Sequence, residues 1–208
     1  MILPETITWC WLRYDPACEA TWRTWLSEDE RRRLKGFRRV QRRRSFLLGR
    51  AAARQVLAER LGTTPDRVPI VARPDEPPCV PGTDLFVSIA HADDVALAVT
   101  ARHPVGADLE RLKPRSPELY RYVLHPDEHP VLRHFKMQPE QATVWCWALK
   151  EAVLKGLGLG LRCSPRRLRL VLEAPTQGWV YLEDGARWRV VADLREGYVW
   201  ALAWPENP

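Results

Sequence analysis

Cysteine is scarce in this 208-residue chain and does not pair: Cys10, Cys18, Cys79, Cys146 and Cys163 are odd in number and contain no C-x-x-C spacing. Neither a disulfide framework nor a zinc site is signalled, and a reducing cytoplasm is the expected compartment. Long apolar runs are also missing. No stretch approaches the ~18 residues of a membrane span. The N-terminus, with Pro4 and Glu5, lacks a basic region leading into an apolar stretch, so no signal peptide is expected. No internal sequence repeat is visible. Acidic charge is in deficit, with 32 Lys and Arg against 26 Asp and Glu, a net charge of +6 and a pI near 9.3. Such a balance calls for an acidic partner or substrate. A hydrophobic content of 46% excludes a disordered chain and supports one large or two small domains.

Periodicity and turn residues divide the chain. Residues 7–14 alternate like a strand, 28–35 and 42–61 read as helices, and Gly62 ends the second of these. Short β-rich runs follow at 68–72, 85–89 and 95–101. The order then partly repeats: a strand at 105–110, helices at 117–124 and 141–157, and strands at 168–172, 188–191 and 198–203. Much of the basic excess, including Arg31, Arg32, Arg33, Lys35, Arg38, Arg39, Arg42, Arg43, Arg44, Arg50 and Arg54, falls within the early segment that reads as two helices. Most of it reads as a solvated face, with a few guanidinium groups available to phosphate oxygens. The ten tryptophans fall largely at apolar positions of the expected elements, which points to core packing rather than a stacking platform for nucleic acid.

Two segments carry chemistry. Val105-Gly106-Ala107-Asp108-Leu109-Glu110 reads as a strand, so Gly106, Asp108 and Glu110 project from one face. Carboxylates on alternate residues lie roughly 6 to 7 Å apart along a strand, where their repulsion is relieved by a bridging divalent cation. Gly106 beside them is expected to leave room for a ligand. Trp147-Ala148-Leu149-Lys150-Glu151-Ala152-Val153-Leu154-Lys155 reads as helix and places Glu151 and Lys155 on one face. Alone, that pair is an ordinary i,i+4 stabiliser worth about 0.2 to 0.5 kcal/mol, and a lone D-x-E is an ordinary solvated edge. Their conjunction supplies three carboxylates and a lysine suited to a metal-bound phosphate. Gly156, Gly158 and Gly160 follow this helix and are expected to end it, not to form a phosphate loop.

Together these segments resemble the 4'-phosphopantetheinyl transferases that activate peptide synthetases, polyketide synthases and fatty acid synthases. The family pairs a (V/I)-G-x-D-x-E strand with a W/F-x-x-K-E-x-x-x-K helix, both present here in order. Ser88-Ile89-Ala90-His91-Ala92 is similar to half of its serine-histidine-serine strand end, Leu26 to Arg33 resembles its early basic helix, and Phe46-Leu47-Leu48-Gly49-Arg50 the next one. The resemblance implies an α+β fold of two similar halves related by a pseudo-twofold, 1–103 and 104–208, with the active site at their interface. It implies Mg²⁺-dependent transfer of the phosphopantetheine arm of coenzyme A to a serine of an acyl or peptidyl carrier protein, releasing 3',5'-ADP. Asp108, Glu110 and Glu151 would hold Mg²⁺. Glu151 would deprotonate the serine, directly or through a metal-bound water, and Lys155 would neutralise or protonate the leaving phosphate. Arg33, Arg44, Arg50, His91 and Lys155 would meet coenzyme A. The N-terminal half is then the coenzyme A-binding half and the C-terminal half the Mg²⁺-binding one, in a monomeric cytoplasmic enzyme with no nucleic-acid or membrane partner.

The chain departs from the family at Pro77, where a lysine usually helps hold a coenzyme A phosphate, at Ala90 and Ala92 in place of serines, and at Ser45 in place of arginine. These changes point to a divergent grip on coenzyme A and leave the acids untouched. Two alternatives stay open on the residues. A metal-dependent nuclease would also use strand carboxylates, a lysine and arginine-rich helices. A non-catalytic binder of coenzyme A or a carrier protein would account for the departures.

Overall fold

Alternation in the N-terminal segment produces the first strand, β1 (Thr8–Arg13), of a three-stranded antiparallel sheet ordered β1-β3-β2, with β2 at Phe86–Ala92 and β3 at Val95–Ala101. The computed structural model describes residues 3–73, 76–113, 115–128 and 138–207, and the chain divides into two units, Met1–His103 and Pro104–Pro208. The continuous apolar run of β3 is explained by its central place: every one of its residues is buried.

Among the described residues of the first unit the α-helices are α1 (Glu19–Trp25), α2 (Glu28–Gly36) and α3 (Val40–Leu61). Leu47, Leu48, Ala51, Ala52, Val56 and Leu57 of α3 form one core with Val87, Ala96 and Ala98 of the sheet. Close approach of α3 to β2 depends on Gly49, where a Cβ would stand 3.0 Å from Ile89 Cγ2. Gly62 ends the helix in the left-handed region, φ 61°, as its sequence position predicts. A capping box starts α2: Ser27 accepts from the Glu30 N–H, and Glu30 accepts from the Ser27 N–H.

Helix α1 has no counterpart in the sequence reading. Its seven residues include two threonines and two tryptophans, poor helix formers, and it follows a 3-10 turn started by Asp15, which accepts from the Ala17 N–H. The strand expected at 68–72 is corrected. Pro69 removes a ladder donor there, and Val71 makes only an isolated bridge to Cys79, while Val68 and Ile70 still enter the core.

The second unit is an antiparallel sheet of five strands in the order β4-β8-β7-β6-β5. The strands are β4 (Gly106–Arg111), β5 (Arg169–Ala174), β6 (Gln177–Tyr181), β7 (Arg187–Arg195) and β8 (Tyr198–Pro205). Helix α4 (Pro117–Val123) and the long α5 (Pro139–Gly156) accompany the sheet. Leu149, Ala152, Val153 and Leu154 of α5 share a core with Leu170, Val180, Val190, Val199 and Ala201 of the strands. Strand β6 is the other element that the sequence reading lacks. Its outward side chains are large and aromatic, and they are held by arginines: Arg187 and Arg189 lie 4.8 and 5.0 Å over Trp179, and Arg169 lies 5.1 Å over Tyr181. The tryptophans expected in cores divide accordingly, with Trp22, Trp188 and Trp200 buried and Trp9, Trp11, Trp25, Trp145 and Trp147 only half-buried.

Candidate active site

Strand β4 and helix α5 are brought into contact by a missing side chain. A Cβ at Gly106 would stand 1.8 Å from the Ala152 carbonyl oxygen and 2.6 Å from the Gly156 nitrogen. The space at Gly106 is therefore filled by the helix backbone, which corrects the expectation that it leaves room for a ligand. The helix ends on Gly156, and Gly158 turns with φ 70°, so these glycines close α5 as expected.

Contact at Gly106 sets the pairs further along. Asp108, opposite Ala201 of β8, is buried at 3% exposure, and Lys155 Nζ donates to its Oδ1 at 2.6 Å. Glu151, one turn before Lys155, is itself buried at 8% exposure. The i,i+4 pair is thus no solvated stabiliser: its lysine is committed to the strand. Glu110, opposite Val199, accepts from Trp147 Nε1 at 2.9 Å on Oε1 and pairs through Oε2 with Arg115.

The charges perturb one another. Burial pushes the Glu151 carboxyl above its ordinary range, the Asp108 and Glu110 charges add to the rise, and Lys155 opposes it. Burial likewise raises Glu110, with Asp108 adding, against Arg115, the Trp147 indole and Lys155. Burial alone would lower Lys155, but Asp108, then Glu151 and Glu110, hold it above the ordinary lysine range.

Among the described residues, no three histidine, cysteine, aspartate or glutamate side chains stand together as a ready-made metal cluster. Lys155 and Arg115 sit on Asp108 and Glu110 instead. The donor chemistry still fits a hard divalent cation. All three groups offer carboxylate oxygens, and two of those oxygens, Asp108 Oδ2 and Glu151 Oε2, are buried without a hydrogen bond.

Sequence reasoning gives no role to four residues of this region, of which Trp147 and Lys150 stand in the helix motif and Arg115 and Glu128 are not singled out. Trp147 and Arg115 hold Glu110. Lys150, fully buried beside Glu151, donates to the Val123 carbonyl at 2.8 Å and to Glu128 Oε2 at 2.7 Å. Glu128 also accepts from the backbone N–H groups of His125 and Leu170, so one buried ion pair ties α5 to β5 and to the chain after α4. Lys150 stands in the K-E-x-x-x-K motif and is a polar residue on an otherwise apolar helix face, but neither signal names its partner, and nothing local marks Glu128.

The first unit gathers a second set. Arg33 and Arg50 lie 5.6 and 5.3 Å over the Phe46 ring. Glu30, 7% exposed, anchors Arg54 through two hydrogen bonds of 3.2 and 2.5 Å and stands 3.3 Å from Arg50 Nε. Arg50 Nη1 is buried without a partner. Burial, with Arg54 and Arg33 nearby, lowers the Arg50 pKa against the pull of Glu30, yet a guanidinium stays charged. His91 is exposed on β2, its Cδ2 3.8 Å from where a Gly49 Cβ would lie. Arg44 stands apart from this group: its guanidinium lies 4.9 Å over Tyr14, beside Glu19 and Arg23. Pro77 is exposed. Pro74 and Asp75, on the same proline-rich loop, lie outside the described residues.

Comparison with known proteins shows the family to which both units of the chain are similar. The family model of the 4'-phosphopantetheinyl transferase superfamily matches residues 104–203, and that of the 4'-phosphopantetheinyl transferase N-terminal domain matches 38–101. The chain is similar to a phosphopantetheinyl transferase of Thraustochytrium sp., with 30% identity over 209 residues, covering 85% of this chain and 67% of that protein. It is also similar to the 4'-phosphopantetheinyl transferase of Bacillus subtilis, 24% identical over 140 residues, covering 65% of this chain and 62% of that protein. Among solved structures, the holo-[acyl-carrier-protein] synthase of Neisseria meningitidis superposes with a TM-score of 0.37 at 22% identity, covering 50% of this chain and 97% of that one.

Proposed function

This chain belongs to the 4'-phosphopantetheinyl transferase superfamily, and from that premise we propose that it transfers the phosphopantetheine arm of coenzyme A to a serine of an acyl or peptidyl carrier protein, releasing 3',5'-ADP. The observation that carries this reading is the pairing of β4 with α5, which sets Asp108 and Glu110 against Glu151 and Lys155. The chemistry is attack of a serine hydroxyl on the phosphorus bearing the pantetheine, with cleavage of its bond to the bridging oxygen of the diphosphate. Positioning and charge neutralisation dominate such a reaction.

Glu151, a carboxylate one helical turn before Lys155 and held above its ordinary range chiefly by burial, would take the serine proton. Lys155, held above the ordinary lysine range by the carboxylates, serves as a fixed positive charge for the leaving phosphate rather than as its proton donor. Asp108, Glu110 and Glu151 would hold a divalent cation, Mg²⁺ by their hard-oxygen chemistry, which supplies charge neutralisation of the diphosphate when bound. Arg33, Arg50 and His91 would bind coenzyme A phosphates. The basic surface of the early helices suits an acidic carrier protein, and the enzyme would act as a cytoplasmic monomer. No helix among the described residues is long and apolar enough to cross a membrane.

Mass spectrometry of an apo carrier protein incubated with this protein, coenzyme A and Mg²⁺ tests the proposal. One phosphopantetheine on the carrier serine is expected. Carriers of several types left unmodified would overturn it.

A further inference from the structure

Glu110 differs from the other two acids in one respect: both of its oxygens are already engaged by this chain. Trp147 Nε1 donates to Oε1 at 2.9 Å and the Arg115 guanidinium sits on Oε2, whereas Asp108 and Glu151 each keep a buried oxygen with no donor. The two donors do different work. Trp147 comes from α5, the helix that carries Glu151, and its ring meets Tyr122 of α4 at a tilt of 39°, with 6.1 Å between centroids. It is a rigid neutral donor that fixes the plane of the Glu110 carboxylate and leaves its charge intact. Arg115 comes from the segment between β4 and α4, brings a full positive charge, and is one-quarter exposed. It can swing away without burying its own charge. The cleft beside the pair, lined by Glu110, Arg115, Leu119, Val144 and Trp147, has a volume of about 190 Å³ and gives the guanidinium somewhere to move.

We propose that Arg115 is a resident counter-cation on Glu110, a positioning residue that competes with the divalent ion for this carboxylate, while Trp147 holds the carboxylate in the orientation both competitors use. This rests on the reading of Asp108, Glu110 and Glu151 as the cation-binding acids. It accounts for the state of the three acids without a divalent ion, in which they do not stand as a preformed cluster among the described residues: Arg115 and Lys155 neutralise two of the three. Lys155 holds Asp108 from within the same helix as Glu151. Arg115 is the exchangeable member.

The test is Mn²⁺ binding to the full chain without coenzyme A, read as the loss of free Mn²⁺ signal by electron paramagnetic resonance. Arg115→Gln should bind Mn²⁺ about tenfold more tightly than wild type, the scale of one charge-assisted hydrogen bond removed from competition. Arg111→Gln removes an equal charge one residue past Glu110, but Arg111 lies over Tyr198 and bonds to the Glu196 carbonyl, so a much smaller gain is expected. In a Glu110→Gln background the gain from Arg115→Gln should vanish. Trp147→Phe keeps a ring against Tyr122 and loses the N–H donor, so it should weaken Mn²⁺ binding.

An unchanged affinity in Arg115→Gln, or a gain that survives Glu110→Gln, would overturn the counter-cation role; a merely structural arginine would lower affinity on removal. If wild type binds Mn²⁺ and loses it in Asp108→Ala while Arg115→Gln is inert, only this inference fails. If neither wild type nor Arg115→Gln binds Mn²⁺, it fails as well, and carrier modification still tests the transferase reading separately.

Discussion

The carbonyl oxygen of Ala152 occupies the position where a side chain on Gly106 would begin, 1.8 Å from an ideal Cβ. Both partners are backbone-fixed, so the contact cannot be relieved by a rotamer change. It makes the glycine of the strand motif a packing residue whose effect on chemistry runs through the placement of α5.

Gly106→Ala is accordingly expected to destabilise the protein by about 1–3 kcal/mol or more, the usual range for overpacking a core, and to depress transfer by shifting α5 against β4. Urea unfolding and carrier modification would be measured together. Normal stability with normal transfer would show that α5 can slide on β4 without consequence.

Asp108→Ala and Glu151→Ala are each expected to abolish transfer with little loss of thermal stability. Each relieves crowding among like charges, and Lys155, about one-quarter exposed along its side chain, can reach water when Asp108 is removed. Near-normal turnover at saturating Mg²⁺ in either variant would remove that residue from the metal assignment.

The pH dependence follows from the direction of the Glu151 shift. Its folded pKa lies above the ordinary value of 4.5, with burial as the main cause. Over the window between those two values the native state holds a proton that the unfolded chain has lost, so stability falls as pH rises through it. Relative to wild type in EDTA, Glu151→Gln should therefore gain thermal stability as pH is raised from 4.5 toward neutrality. A difference that stays flat with pH would mean that Glu151 is not held above its ordinary range.

Glu30→Ala leaves Arg54, 1% exposed, as an unpaired buried cation and should cost about 3–5 kcal/mol in urea unfolding. Replacing the pair by apolar residues of similar volume, Glu30→Leu with Arg54→Met, should recover most of that loss. Failure of the double variant to recover would assign Glu30 a wider role through Arg50 and the Ser27 cap.

For coenzyme A, Arg33→Ala and His91→Ala should weaken binding, and Pro77→Lys should tighten it by about 1 kcal/mol if a charge-assisted bond to phosphate forms. Arg44→Ala should change it much less, because that guanidinium lies over Tyr14 and not with Arg33 and Arg50. Calorimetric titration of coenzyme A against dephospho-coenzyme A decides whether these side chains read the 3'-phosphate; identical binding of the two ligands in every variant would exclude it.

By itself the sequence determined what local chemistry and periodicity dictate. The central strand β3, the helices α2, α3 and α5, the Gly62 stop and the residue types of the acid-lysine motif were all legible, because each is written in a contiguous pattern. Helix α1 and strand β6 were not, since their stability comes from what they lie against: Trp22 in the core, and arginines of β5 and β7 over Trp179 and Tyr181. The pairings were decided only by tertiary structure. Lys155 belongs to Asp108 and not to Glu151, Arg115 and Trp147 take Glu110, Lys150 takes Glu128, and Gly106 receives a helix instead of a ligand. A charge written in a sequence has candidate partners throughout the chain, and burial, which sets the cost of leaving it unpaired, exists only once the strands and helices have closed around it.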